Sequence, residues 1–263
     1  MSENNSKSSS YLRLNKFLAQ AGYCSRRKAD ELISQGRVTL NGQTTLQLGS
    51  KILPAKDKVF IDNQEIKLPV DEQNCHAYIL LNKPVQVVSS VKDPQGRQTI
   101  LDLLPHELAQ KRIYPVGRLD YMSEGLLLLT NNGELTYRLT HPRWHVPKVY
   151  EVKVRGKVNQ EVLRKMRSGM VLKEGEKLAP VKVSVHNMED KNTLLRMELK
   201  QGVNRQIRRM CRDLNLTILL LKRISQGPLQ LDSLPSGSWR HLTASELRKL
   251  MQKVGLKQVT CDK

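Results

Sequence analysis

From Tyr11 onward the apolar positions fall into short periodic pieces. Leu14, Phe17, Leu18 and Ala21 recur at i, i+3, i+4 and i+7, which predicts an amphipathic helix halted at Gly22. Ser25 stands as the N-cap of a second helix that turns Ala29, Leu32 and Ile33 inward and ends at Gly36. Val38 and Leu40 then alternate with polar residues, Asn41-Gly42 signals a hairpin turn, and a further short strand is expected at Val59–Ile61. This αα-plus-hairpin unit, residues 11–68, closes near Leu68.

Residues 69–76 are polar apart from Val70 and read as a linker. The texture then changes. Residues 78–81 and 126–129 are apolar runs of buried-strand length. Residues 149–154 alternate, with Tyr150, Val152 and Val154 on one face and Glu151 and Lys153 on the other, and residues 181–185 and 195–199 alternate again. Helical spacing intervenes near 134–139, Gln160–Ser168 and 205–214. Strands outnumber helices and few β-α-β spacings recur, so residues 77–257 are expected to form one α+β domain on a mixed, mostly antiparallel sheet. Residues 1–10, with five serines, and residues 258–263 are expected to be tails.

Charge narrows the function. The 263 residues carry 44 Lys or Arg against 25 Asp or Glu, a net +19, while 39% hydrophobic and 26% charged residues are ordinary for a folded protein. Such a surplus calls for a polyanion, either nucleic acid or an anionic membrane, unless it is only a solvated basic surface. No apolar run approaches the ~20 residues of a membrane span, and the polar N-terminus lacks the apolar centre of a secretory signal. Four cysteines lie far apart without a C-x-x-C pair, which disfavours zinc ribbons and disulfide scaffolds. A reducing, cytoplasmic setting is expected.

The basic residues cluster in two places. In residues 11–37, Arg13, Lys16, Arg26, Arg27, Lys28 and Arg37 oppose only Asp30 and Glu31, six against two, for a local +4. The triplet Arg26-Arg27-Lys28 opens the second helix, where free N–H groups and the helix dipole already favour an anion. A tolerated solvated face is the alternative. In residues 205–214, Arg205, Arg208, Arg209 and Arg212 form one stripe, while Ile207, Met210, Cys211 and Leu214 form another, at the same spacing out of phase. The stripe is read as lacking acidic i+4 partners, so the repulsion of its arginines asks for an anion from elsewhere. A membrane-surface helix would need larger apolar anchors. Two Phe and two Trp are too few for an extended base-stacking platform, which directs contact to phosphates and nucleic-acid shape.

The common catalytic motifs are missing. There is no G-x-x-x-x-G-K-[ST], no G-x-G and no G-x-S-x-G. His141 and His145 are separated by Pro142 and have no neighbouring carboxylate or Cys, so they read as loop residues, and no metal is expected. What remains is Asp120, in a loop between two apolar segments and bracketed by Gly117 and Gly125, which permit unusual backbone angles and close approach of a ligand. Loop aspartates also cap and turn, so spacing alone leaves both readings open.

Gly117-Arg118-Leu119-Asp120, followed by Ser123-Glu124-Gly125-Leu126-Leu127-Leu128-Leu129-Thr130, resembles the catalytic signature of the RsuA/RluB/RluF branch of pseudouridine synthases. Leu81-Asn82-Lys83-Pro84, Lys148-Val149-Tyr150 and Gly202-Val203-Asn204-Arg205-Gln206-Ile207-Arg208-Arg209-Met210 follow the same family in order. The N-terminal unit, with Cys24-Ser25-Arg26-Arg27, resembles the RNA-binding domain of ribosomal protein S-four. The resemblance covers about residues 11–250. It implies a cofactor-free isomerisation in which a uridine of RNA is detached at its base nitrogen, rotated and rejoined through carbon five. It also implies that Asp120 is the catalytic carboxylate, Tyr150 stacks on the flipped base, Arg208 pairs with Asp120, and Arg118 enters the RNA helix or holds the displaced partner.

Lys83, Arg205, Arg209 and Arg212 join Arg13, Lys16, Arg26, Arg27 and Lys28 as candidate RNA contacts. Val203, Ser123 and Asn132 stand where many relatives have Arg, Thr and Asp. The blocks lean toward the RluF and RluB subgroups. The implied substrate is therefore a stem-loop of large-subunit (23S) rRNA, free or in a ribosome-assembly intermediate, acted on by a monomer away from membranes. Small-subunit rRNA, an additional tRNA substrate, or a catalytically silent RNA-binding or ribosome-assembly factor are the alternatives.

Overall fold

The computed structural model describes residues 11–68, 76–189 and 191–256. The two expected tails and all of the expected linker except His76 lie outside them. Contacts divide the chain into two compact units, residues 1–75 and 76–263.

The first unit contains β1 (Leu12–Arg13), α1 (Leu14–Gln20), α2 (Arg26–Ser34), β2 (Val38–Leu40), β3 (Gln43–Thr44), β4 (Lys51–Ile52), β5 (Val59–Ile61) and β6 (Gln64–Ile66). Ser25 caps α2 as expected, its hydroxyl accepting the Lys28 amide at 3.2 Å. Phe17, Leu18, Ala29, Leu32 and Ile33 from the helices pack on Val38, Ile52, Val59 and Ile61 from the strands. Asn41 and Gly42 both take left-handed angles, φ 52° and 83°, as a two-residue hairpin turn demands. Asp62 and Asn63 make a second such turn without any glycine, at φ 48° and 67°. The sheet is therefore larger than one hairpin: β3, β2, β5 and β6 lie side by side, and β1 pairs separately with β4.

The second unit runs β7 (Tyr78–Lys83), α3 (His106–Gln110), β8 (Tyr114–Pro115), β9 (Glu124–Thr130), α4 (Gly133–Thr140), β10 (Lys148–Arg155), α5 (Gln160–Ser168) and β11 (Lys182–Glu189). It continues with β12 (Asn192–Leu199), α6 (Gln206–Asp213), β13 (Ile218–Gln226), β14 (Leu229–Gln230), β15 (Trp239–His241) and α7 (Ala244–Lys253). Among the described residues, nine strands make one sheet in the order β11-β12-β10-β13-β9-β7-β15, with β8 added on β9 and β14 on β13. All neighbours are antiparallel except β9 and β13, so the sheet is mixed and mostly antiparallel as expected.

Helices cover the sheet on both sides of β9, which explains its unbroken leucines. Leu126 and Leu128 face Leu135 and Leu139 of α4 and Leu250 of α7, while Leu127 and Leu129 face Ile100, Leu108 and Ile113. Each such fully buried leucine contributes about 1.5–3 kcal/mol relative to an exposed one. On the other half of the sheet, Val152, Val154, Leu195, Met197 and Leu221 pack under Met166 of α5 and Ile207, Met210 and Cys211 of α6. Burial pushes the Cys211 thiol up to about 12, so it packs as an inert hydrophobe.

β13 and α7 are among the elements that went unread in the sequence. β13 sits at the centre of the sheet although its second half is Lys222, Arg223, Ser225 and Gln226, a polar string that masks a strand. α7 carried a legible signal, the capping box of Thr243 and Glu246.

Candidate active site

The loop between β8 and β9 is held at nearly every residue. Ser89 Oγ donates to the Leu119 carbonyl at 2.8 Å and accepts the Leu119 amide at 3.1 Å. The Gln86 amide donates to the Tyr121 carbonyl at 2.7 Å. Arg208 Nη2 donates to the Met122 carbonyl at 2.6 Å and to Ser123 Oγ at 2.9 Å. Lys83 Nζ donates to the Ser123 carbonyl at 2.9 Å and to its neighbour Pro84 at 2.7 Å. Asp120, in the middle, leaves its side chain 31% exposed toward a cleft and 3.3 Å from Arg208 Nε. That Nε–H has no aligned acceptor, so the pair is held by charge rather than by a directed hydrogen bond.

Lys83 is a correction. It is wholly buried, so it cannot meet RNA, and serves instead as a cation beneath the Asp120 loop. Burial holds its ammonium down at about 8, against the opposing pull of Asp120 and Glu124. Gly125 is a second correction. At φ 104° it takes an angle only glycine tolerates well, but its close neighbour is protein: a Cβ there would lie 2.3 Å from the Arg223 carbonyl oxygen of β13. The glycine lets two strands approach, not a ligand.

The cleft encloses about 300 Å³, at the small end of ordinary ligand sites. Its floor is one face of β10, β12 and β13. Tyr150 lies opposite Met197 and Arg223, and Lys148 opposite Leu199 and Gln226. Residues 223 and 226 are three apart and would point to opposite faces of a regular strand. A bulge at Ile224 shifts the register between Val149 and Tyr150 and brings both onto the floor. Tyr150 is half-buried and packs against two of the core clusters, so the expected inward orientation is observed. Burial, with Arg223 nearby, lowers the Lys148 ammonium to about 8.

α6 forms the remaining wall. Arg205, exposed at φ 49°, and Arg208 border the cleft, as does the exposed Arg118. The expectation of an arginine face without acidic partners does not hold for the rest of the stripe. Arg209 meets Glu176 at 2.6 Å and Glu174 at 3.2 Å, and Arg212 meets Glu174 at 2.5 Å and Asp213 at 2.7 Å. Glu174 and Glu176 come from a loop some 35 residues upstream, beyond the reach of an i+4 argument, whereas Asp213 stands next to Arg212 and four residues after Arg209, a local partner that the spacing argument passed over. In the first unit Arg13, Arg26, Arg27 and Lys28 are exposed and Lys16 half-buried, with Lys28 2.9 Å from Glu31.

Lys148, Gln206, Arg223 and Gln226 complete the cleft, although the sequence singled out none of them as site residues. For Lys148, Arg223 and Gln226, polar residues at the ends of strand-like stretches were the available signal. Among the described residues, no group of three or more His, Cys, Asp or Glu is placed to hold a metal ion, and no helix is long and apolar enough to cross a membrane.

Residues 77–213 match the RNA pseudouridylate synthase family. The chain belongs to that family. Residues 12–67 match the S4 domain, so the order of an RNA-binding S4 domain and a mixed-sheet synthase domain agrees with the resemblance read in the sequence. An RNA pseudouridine synthase of Aquifex aeolicus (strain VF5) is 42% identical over 94% of this chain and 97% of its own length. The ribosomal large subunit pseudouridine synthase B of Bacillus subtilis (strain 168) is 38% identical over 90% of this chain and 95% of its own length. The dual-specificity RNA pseudouridine synthase RluF of Escherichia coli (strain K12) is 37% identical over 92% and 79%. A solved pseudouridylate synthase aligns with a TM-score of 0.65 at 30% identity, covering 91% of this chain and 99% of that one. By family this chain is an RNA-modifying isomerase.

Proposed function

We propose that this chain converts a uridine of large-subunit (23S) ribosomal RNA to pseudouridine, with Asp120, Tyr150 and Arg208 as its catalytic group. The observation that carries the reading is the charge pair of Asp120 and Arg208 in a cleft floored by Tyr150, in a chain similar to a large-subunit synthase over nearly its whole length. In the reaction the bond from base N1 to ribose C1′ breaks, a bond from C5 to C1′ forms, C5 loses its proton and N1 gains one. Asp120 is the carboxylate that meets the sugar. Arg208 keeps it ionised and fixed, and Tyr150 stacks on the uracil and meets its C5 side. Extruding the base costs a few kcal/mol, which stacking and phosphate contacts offset.

Residues 11–68 dock the RNA through Arg13, Lys16, Arg26, Arg27 and Lys28, while Arg118 and Arg205 hold the displaced strand at the mouth of the cleft in residues 77–257. The enzyme works as a cytoplasmic monomer on a stem-loop, in free rRNA or in an assembly intermediate. Tritium release from 23S transcripts carrying [5-³H]uridine tests this. Release by the wild type and its loss in Asp120→Asn are expected; release that survives the substitution removes Asp120 from the chemistry.

A further inference from the structure

Six buried side-chain polar atoms among the described residues lack a hydrogen-bond partner, and five of them belong to residues lining this one cleft: Gln206 Oε1, Arg208 Nε, Arg223 Nη2, and both Nε2 and Oε1 of Gln226. Gln226 is 1% exposed and Arg223 2%. Arg208 Nε has the Asp120 charge 3.3 Å away, but leaving the others unpaired costs about 1–3 kcal/mol each, so their concentration around one cleft calls for a ligand that pairs them. Arg223 is fixed by its Nε, which donates to the Leu126 carbonyl at 2.7 Å, leaving Nη2 free. Gln226 stands on the same floor as Lys148, its direct strand partner, next to the row that holds Tyr150 and Arg223.

The floor residues Lys148, Arg223 and Gln226 form one wall whose chemistry is specific. A carboxamide with both atoms unpaired wants one acceptor and one donor side by side. A phosphate offers acceptors only and would leave Gln226 Oε1 unpaired. The imide edge of uracil, N3–H flanked by carbonyl oxygens, offers both. Cytosine could also pair with a flipped carboxamide, but its amino group adds a donor on a wall where Lys148 and Arg223 already supply donors only. The wall has a second use, since the electron pair of the N1–C1′ bond leaves with the base. Negative charge then spreads over the uracil oxygens, and the buried Arg223 and half-buried Lys148 beside Gln226 are placed to stabilise it.

We infer that Gln226 reads the imide edge of the target uracil and that Arg223 and Lys148 carry the charge on the detached base. The inference rests on the proposed reaction and adds to it the recognition of the base. Burial lowers the Lys148 ammonium to about 8, consistent with a cation awaiting an anion.

The test is Gln226→Leu, which keeps the volume and removes both unpaired atoms. Tritium release from the labelled 23S transcript should fall at least about tenfold in kcat, because the imide edge is left unpaired when the base enters. The melting temperature of the free protein should rise by roughly 2–4 °C, because two unmet polar atoms leave the interior. A glutamine that merely supports the fold would show the reverse, a lower melting temperature with kcat unchanged, and that result overturns the inference.

A second arm needs no turnover. In ¹⁵N-labelled wild type, uridine 5′-monophosphate should shift the Gln226 side-chain amide resonances, while cytidine 5′-monophosphate and N3-methyluridine 5′-monophosphate should not. Equal shifts with all three overturn the assignment. Absence of tritium release in the wild type together with a uridine-specific shift would defeat the proposed reaction and leave the recognition site standing.

Discussion

Arg208 holds Asp120 from the side. Its Nε is 3.3 Å from Asp120 Oδ2, while its Nη2 is committed to the Met122 carbonyl and the Ser123 hydroxyl, so one guanidinium fixes both the carboxylate and the loop that carries it. Two functions meet in one planar group because a fork can charge-pair with one nitrogen and donate with another.

Arg208→Lys keeps the charge and loses the fork. Activity should drop by about 10²-fold or more, since misplacing a reacting group by an ångström costs that much. Steady-state tritium release checks it, and near-normal kcat in this variant would show that charge alone suffices.

Lys83 predicts a pH effect on stability. Its ammonium is depressed to about 8 in the fold and returns to 10.5 on unfolding. Between those values the unfolded chain binds more protons, so this group makes stability rise with pH from about 8 to 10.5 and contributes no slope below that window. Urea unfolding of wild type and Lys83→Met at pH 7 and pH 10 should show the wild type gaining relative to the variant at the higher pH. A constant difference would mean that Lys83 titrates normally.

Gly125→Ala places a methyl 2.3 Å from the Arg223 carbonyl oxygen, which belongs to the backbone of a central strand and cannot swing away. It also demands φ 104° of an L-residue. A loss of about 3 kcal/mol or more is expected in denaturant unfolding, or insoluble protein. Wild-type stability would mean that β9 and β13 can separate freely.

The two basic clusters should differ in salt dependence. Neutralising Arg26, Arg27 and Lys28 to Gln should flatten the slope of log affinity for RNA against log salt by roughly 0.7–0.9 for each phosphate that is no longer neutralised. Arg209→Gln with Arg212→Gln should change that slope little, because Glu174, Glu176 and Asp213 already neutralise both. Filter binding over a salt series separates the two, and a steep drop in affinity for the second variant would assign RNA to α6 after all.

Much of the architecture was legible because its signals are local. Helical periodicity and a serine cap marked α1 and α2, Asn41-Gly42 marked a hairpin, and alternation marked β10 and β12. Asp120, Tyr150 and Arg208 were legible only through motif resemblance, since a loop aspartate, a strand tyrosine and a helical arginine are each commonplace alone. β13 escaped because its buried face is polar, against the rule that links burial to hydrophobicity.

The amino-acid sequence by itself determined the family, the order of its two domains and the surplus of positive charge, all properties of residue type and short spacing. The tertiary structure decided which charges are free. It buried Lys83, gave Arg209 and Arg212 their carboxylates from a distant loop, and used a bulge to turn Arg223 and Gln226 onto one floor. Pairing across tens of residues and strand register depend on where the backbone places each group, and neither is written in local periodicity.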